Sequence, residues 1–292
     1  MRKFSEYDPI AVTIWFFSVT GIAMFCNYPV LMGISLVGGV LFFTVRNGLS
    51  HGREHIFFWI LFAVLALANP LISHNGKTVL FVMNHNPVTL EALLYGVNSA
   101  AMIIGVLYWF RSFTQIMTSE KLLYITGALS PKLSLVLSMA LRFVPLFSRQ
   151  SAKINSTQTA MGLYKDDNII DDIKGRSRVF SIMVTWALEN GIITADSMEA
   201  RGYGIGRRTQ LKRFHFRVWD ILLIIVTLAL TGVTAAAVGT DSLSFTFYPE
   251  IEYSSPSILG ISGILSYLTL ILLPLIIETE VRLKWKYLRS AV

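Results

Sequence analysis

"VWDILLIIVTLALTGVTAAAVG", residues 218 to 239, holds 22 residues and a single charge, Asp220, near its start. A helix rises about 1.5 Å per residue, so about 20 apolar residues cross the hydrocarbon layer of a bilayer. A charge at mid-bilayer costs about 3 kcal/mol or more, and none interrupts the stretch after Asp220. Residues 218–239 therefore read as a membrane-spanning helix, and they set the class of the whole chain.

Five further stretches read the same way: Ile10–Cys26, Pro29–Val45, Ile56–Ile72, Leu93–Phe110 and Ile258–Ile277. The first two are separated by the tight turn Asn27-Tyr28-Pro29, and Pro274 falls late in the last, where a kink is tolerated. Composition agrees. The chain is 53% hydrophobic with a mean hydropathy of +0.57. Only 15% of its residues are charged, against about 25% in a soluble domain. The single cysteine, Cys26, excludes a disulfide framework or a multi-cysteine metal site. The expected fold is an all-α membrane protein with about six transmembrane helices.

Six spans place both termini on one side, and Lys and Arg choose the side. The N-terminal tail, loop 46–55, segment 111–217 and the C-terminal tail hold 24 of the 25 Lys and Arg residues; the opposite side holds Lys77 alone. The three short segments give 8 against that 1. Both termini and segment 111–217 are expected to be cytoplasmic. The formal charge of +7 belongs to that asymmetry, not to nucleic-acid binding. Met1-Arg2-Lys3 imitates a signal peptide, but Glu6 and Asp8 interrupt it and no small-x-small cleavage site follows, so it reads as a tail. Three regions result: 1–110 with four spans, 111–217 as a cytoplasmic or interfacial region, and 218–292 with two spans and a basic tail.

Segment 111–217 reads as helices. "LSLVLSMALRFVPLF" (133–147) is apolar for 15 residues but contains Arg142 and Pro145. It is short for a span and fits an interfacial or protein-buried helix, which Pro145 is expected to kink or end. A second helix is expected from about Arg178 to Arg201, with a mainly apolar stripe of Val179, Met183, Trp186, Asn190 and Ile193. The charged run "KDDNIIDDIKG" (165–175) between them reads as a loop. Both helices end alike, in Ala160-Met161-Gly162 and Ala200-Arg201-Gly202. Glycine just past a helix accepts the left-handed conformation of a C-cap. Capping is thus the plain reading of Gly162 and Gly202; a thin tip able to enter a groove of another protein is the functional one.

Other motifs carry less. "NGKT" (75–78) lacks the phosphate loop's first glycine, since residue 71 is Leu, and "GYGIG" (202–206) has the wrong spacing for a dinucleotide site. The chain is not expected to bind ATP itself. "DDNIID" (166–171) is similar to the clusters that hold magnesium pyrophosphate in membrane prenyltransferases, but no second acidic cluster accompanies it, so a solvated loop is the better reading. His74 and His85 read as ordinary outer-loop residues, and His51 and His55 as lining the cytoplasmic membrane face; no metal site is expected. Arg142 reads as an anchor to headgroups or a partner within the protein. Arg201 is either a cation favoured by the negative end of its helix or a guanidinium fork for a partner's carboxylate.

The stretches "NPLISHNGKTVLF" (69–81), "NPVTLEALLYG" (86–96), "SMALRFVPLF" (138–147), "ENGIITADSMEARGYG" (189–204) and "RRTQLKRFHFRVWD" (207–220) together resemble the transmembrane T component of energy-coupling factor transporters, a family that includes the cobalt-transport permeases. The resemblance implies a scaffold of a prokaryotic plasma membrane, without cofactor, catalytic group or nucleic-acid partner. Two ATP-binding-cassette ATPases attach to such a scaffold, and beside it sits a small membrane protein that binds the substrate, a vitamin or a metal ion. Two crossing coupling helices each end in a small-Arg-small tip that docks into an ATPase, and their apolar faces hold the substrate-binding subunit. Carried onto this chain, the docking residues are Ala200, Arg201 and Gly202, with Ala160, Met161 and Gly162 at the first tip. The subunit contacts are Leu137, Leu141, Val179, Met183 and Trp186. Met161 departs from the pattern, which has Arg there; an apolar groove, a nearby cation such as Lys165, or a weaker contact would each account for it. The rival readings are a prenyltransferase using the acidic run 166–172 and a stand-alone carrier, which would need polar residues along a path through the membrane.

Overall fold

The computed structural model describes residues 3–48, 52–72, 76–83, 86–163, 169–206, 214, 216–240, 242–248, 251–253 and 257–290. The helices among them are α1 (Pro9–Phe25), α2 (Pro29–Asn47), α3 (Gly52–Ile72), α4 (Leu90–Ile116), α5 (Ser119–Leu129), α6 (Pro131–Ala160), α7 (Ile169–Ala200), α8 (Val218–Gly239) and α9 (Ile258–Ser290). Two short antiparallel hairpins complete them: β1 (Val79–Met83) with β2 (Asn86–Thr89), and β3 (Phe245–Thr246) with β4 (Glu252–Tyr253). The chain forms two compact units, one of Met1–Thr118 with His215–Val292 and the other of Ser119–Phe214.

In the first unit the helix ends are written into the sequence. The Asp8 side chain accepts the Ile10 N–H at 2.9 Å, and Pro9, which has no N–H to lose, opens α1. Pro29 opens α2 in the same way, and Gly48 ends it at φ +67°. Thr89 caps α4 by accepting the Ala92 N–H at 3.3 Å.

The helices pack as α2 and α3 on α4, α8 and α2 on α9, and α1 on α8. Between them lies an aromatic cluster. Trp15 meets Phe4 at 5.3 Å, Phe16 at 4.9 Å and Trp109 at 5.5 Å, all edge to face. Edge-to-face pairs place a ring's positive rim on its neighbour's negative face. The polar tips are satisfied: Trp15 Nε1 donates to the Leu270 carbonyl at 3.1 Å, Trp109 Nε1 to Ser35 Oγ at 3.2 Å, and the Tyr267 hydroxyl to the Val19 carbonyl at 3.2 Å.

Lipid is as apolar as a protein core, so close packing and internal hydrogen bonds hold such a bundle together. Gly38 and Gly39 on α2 provide the packing. A Cβ at Gly39 would lie 3.1 Å from Tyr108 Cβ, and one at Gly38 would overlap the Ile271 side chain. Gly38→Leu is expected to destabilise the bundle by about 1–3 kcal/mol through overpacking. Thermal unfolding in detergent checks this, and an unchanged midpoint contradicts it.

Asp220 supplies the hydrogen bonds. Its carboxylate is fully buried and accepts the Asp8 N–H and the Arg217 N–H, each at 2.9 Å. It thereby ties the start of α8 to the start of α1, 212 residues away in sequence.

Six described helices are long and apolar enough to cross a membrane: α2, α3, α4, α6, α8 and α9. Five of these carry expected spans. The sixth expected span falls on α1, which at 17 residues is the shortest of the apolar helices yet lies in the core, with Ala11, Val12, Trp15 and Val19 fully buried. The added helix, α6, qualifies through an 18-residue window of mean hydropathy 1.3, the lowest of the set.

The second unit consists of α5, α6 and α7. Ser134 Oγ on α6 donates to the Leu123 carbonyl on α5 at 3.3 Å. Phe147 on α6 stacks on Phe143 at 5.5 Å and meets Trp186 of α7 edge to face at 5.6 Å. One expectation is narrowed here and one corrected. Of the expected kink or end at Pro145, the end does not occur: α6 runs through it to Ala160. The ring sits on an exposed face, and a 30-residue hydrogen-bond ladder outlasts the loss of one donor. The charged run is not a loop up to residue 175 either: α7 begins at Ile169. Asp171 and Asp172 occupy its first turn, where carboxylates are favoured by the helix dipole, and Asp172 pairs with Arg176 at 3.0 Å.

Candidate functional site

The two long helices of the second unit end in the same hydrogen-bonded motif. At the α6 end the Gly162 N–H donates to the Thr159 carbonyl at 3.0 Å, and the Leu163 N–H to the Gln158 carbonyl at 3.2 Å. At the α7 end the Gly202 N–H donates to the Glu199 carbonyl at 2.9 Å, and the Tyr203 N–H to the Met198 carbonyl at 3.0 Å. Each set is the paired bonding of a Schellman cap, which satisfies carbonyls that a helix end otherwise leaves without partners. Gly162 has φ +67° and Gly202 φ +77°. Met161 and Arg201 therefore hold the equivalent C-cap position on two tips, each just before the glycine.

Both tips are open. Ala160, Met161, Gly162, Ala200 and Arg201 are exposed, and Gly202 is half-buried. With no side chain at the glycine, the tip stays thin. Gly202→Val would put a branched side chain into the left-handed region, at a cost of about 1–2 kcal/mol. Its expected effect is local: amide exchange at residues 198–203 speeds up while membrane insertion is unchanged. Unaltered exchange there contradicts the capping role.

Along the stretch of α6 that leads to its tip, α6 and the first half of α7 line an open groove of about 940 Å³. Its apolar lining includes Phe147, Val179, Phe180 and Met183, and its polar lining Asn155, Thr159, Asp172 and Arg176. Of the residues expected to hold a second membrane subunit, Val179 is buried, and Leu137, Leu141, Met183 and Trp186 are half-buried. A second apolar row on α7 is far more open: Phe180, Val184, Leu188 and Ile192, spaced by four residues and all exposed. Sequence periodicity supports both rows and does not tell which faces out.

The remaining candidates fall elsewhere. Arg142 is exposed on α6. His55 Nδ1 lies 3.0 Å from the Tyr108 hydroxyl, and its ring meets Phe43 edge to face at 5.3 Å, a structural contact beneath α4. Within "NGKT", Thr78 gives its N–H to Glu91 at 3.2 Å and its hydroxyl to the same carboxylate at 2.5 Å. Those donors brace the hairpin of β1 and β2. His51, His74, His85, Lys165, Asp166 and Asp167 lie outside the described residues. Among the described residues, no three His, Cys, Asp or Glu side chains gather as a metal site.

A set of long apolar helices, with a unit whose two long helices end in matching exposed tips, defines a multi-pass all-α membrane protein. The chain belongs to the CbiQ family of cobalt transport proteins, whose pattern it matches over residues 2–212. It is similar to the energy-coupling factor transporter transmembrane protein EcfT of Brevibacillus brevis, with 26% identity over 224 residues, 71% of this chain and 82% of the relative. The EcfT of Lactococcus lactis subsp. cremoris is 24% identical over 219 residues, 70% of this chain and 80% of the relative. The EcfT 1 of Listeria monocytogenes is 31% identical over 102 residues, where the match spans 38% of the relative's length.

Proposed function

We propose that the chain is the transmembrane T component of an energy-coupling factor importer. It transmits the closing motion of two ATP-binding-cassette ATPases to a small membrane subunit that binds the substrate. The observation that carries this reading is the pair of matched tips: two helices, one cap geometry, two exposed C-cap side chains. One tip serves each ATPase. The asymmetry of 24 against 1 in Lys and Arg supports a cytoplasmic position for both tips and both termini. The groove and the open row Phe180, Val184, Leu188 and Ile192 supply apolar surface for the substrate-binding subunit. ATP hydrolysis belongs to the ATPases; the chain itself acts as a scaffold. The substrate, a vitamin or a metal ion, is chosen by the partner.

Purification in mild detergent followed by mass spectrometry tests this reading. The expected result is recovery of two ATP-binding-cassette subunits and one small membrane protein with the chain. Substrate transport by the chain purified alone would contradict it and favour a stand-alone carrier.

A further inference from the structure

The two tips share a geometry and differ in chemistry. The α7 tip presents the Arg201 guanidinium, five donors in a planar fork. The α6 tip presents Met161, which is 70% exposed, and beside it Leu163, which is 43% exposed. From Gln158 to Leu163 no side chain is charged. Gln158 is the long polar residue of that turn, but it is only 4% exposed, so its amide is withheld from the surface. The charges that line the groove beside the last turns of α6 are Asp172 and Arg176, and these pair with each other at 3.0 Å. The described α6 tip therefore offers a partner thioether and methyl groups on a thin glycine-capped end.

Such a surface gains from an apolar pocket, which a flexible methionine fills well. Against a carboxylate it would lose, because covering an ion with methyl groups strips its water and returns no donor. We infer that the α6 tip is an apolar plug, seated in a pocket of one ATPase that is lined by apolar side chains and holds no unpaired carboxylate. The α7 tip is the charged contact. This rests on the docking reading above and adds the chemistry of one of its two contacts. It also separates them by salt: an ion pair at a partly exposed tip weakens as ionic strength rises, and a methionine in an apolar pocket does not.

The test uses the full chain in lipid nanodiscs and the ATPases that co-purify with it, with association measured for Met161→Leu, Met161→Arg, Met161→Glu and Arg201→Ala. Met161→Leu is expected to bind within about twofold of the parent, since it keeps an apolar side chain of similar volume. Met161→Arg and Met161→Glu are each expected to weaken association by about tenfold or more, since each buries an unpaired charge. Binding by Met161→Arg as tight as the parent, or tighter, would overturn the inference by revealing an acidic pocket. Indifference to all three Met161 variants while Arg201→Ala still weakens binding would also overturn it and leave the docking reading standing. Indifference to all four would remove both.

Discussion

Arg201→Ala is expected to weaken association with the ATPases by about 2–5 kcal/mol, roughly thirtyfold to several thousandfold, and to reduce uptake accordingly. The magnitude is that of truncating one side of a charge pair that a partner covers. Membrane insertion and folding are expected to remain. Arg201 is exposed at a C-cap, and the Schellman bonds of its tip are made by the backbone of Gly202 and Tyr203. The plain alternative is a cation favoured by the helix dipole, which accounts for only about 0.3–1 kcal/mol and acts on the helix itself. Arg201→Lys separates the two. It keeps the charge at the helix end but loses the fork, so it is expected to restore stability fully and association only in part. Association equal to the parent in Arg201→Ala leaves the dipole account alone.

The second large effect is expected far from the tips. Asp220→Ala removes the acceptor of two N–H groups, those of Asp8 and Arg217. The buried Asp8 N–H loses that acceptor, at about 1–3 kcal/mol, and the start of α8 loses the capping bond to the Arg217 N–H, at about 0.5–2 kcal/mol. The expected loss is about 2–5 kcal/mol of bundle stability, read as a lower unfolding midpoint in detergent and a smaller yield of folded protein. Asp220→Asn retains one acceptor oxygen but turns an amide N–H₂ toward a donor, so it should fall between. A parent-like midpoint in Asp220→Ala means that the junction of α1 and α8 is held by other contacts.

Much of the fold was legible in the sequence because a bilayer imposes a length and a polarity on each crossing. The stretches from Pro29, Ile56, Leu93, Val218 and Ile258 all fall within long apolar helices. The tips were legible too, because glycine after a helical run has one common backbone use, and Gly162 and Gly202 both take it. Punctuation was less legible. Pro145 reads as a kink or an end and the run 165–175 as a loop, yet a long ladder carries the proline on its exposed face without ending, and acidic residues in a first turn stabilise the helix they seem to interrupt. What could not be read was non-local. Nothing near Asp220 in the chain points to Asp8, and nothing near Gly38 points to Ile271. That the Phe180–Val184–Leu188–Ile192 row is more open than the Val179–Met183–Trp186 stripe was hidden for the same reason: the packing of α6 on α7 is a tertiary fact.

Both tips, with their different side chains, are expected to touch ATPase subunits. A photo-crosslinking amino acid placed at position 161, and separately at position 201, tests it in intact membranes. An ATP-binding-cassette subunit is expected in the adduct from each position, with control positions on the exposed side of α3 giving none. Illumination that yields no ATPase adduct from either tip, in cells where the transporter is active, would contradict it.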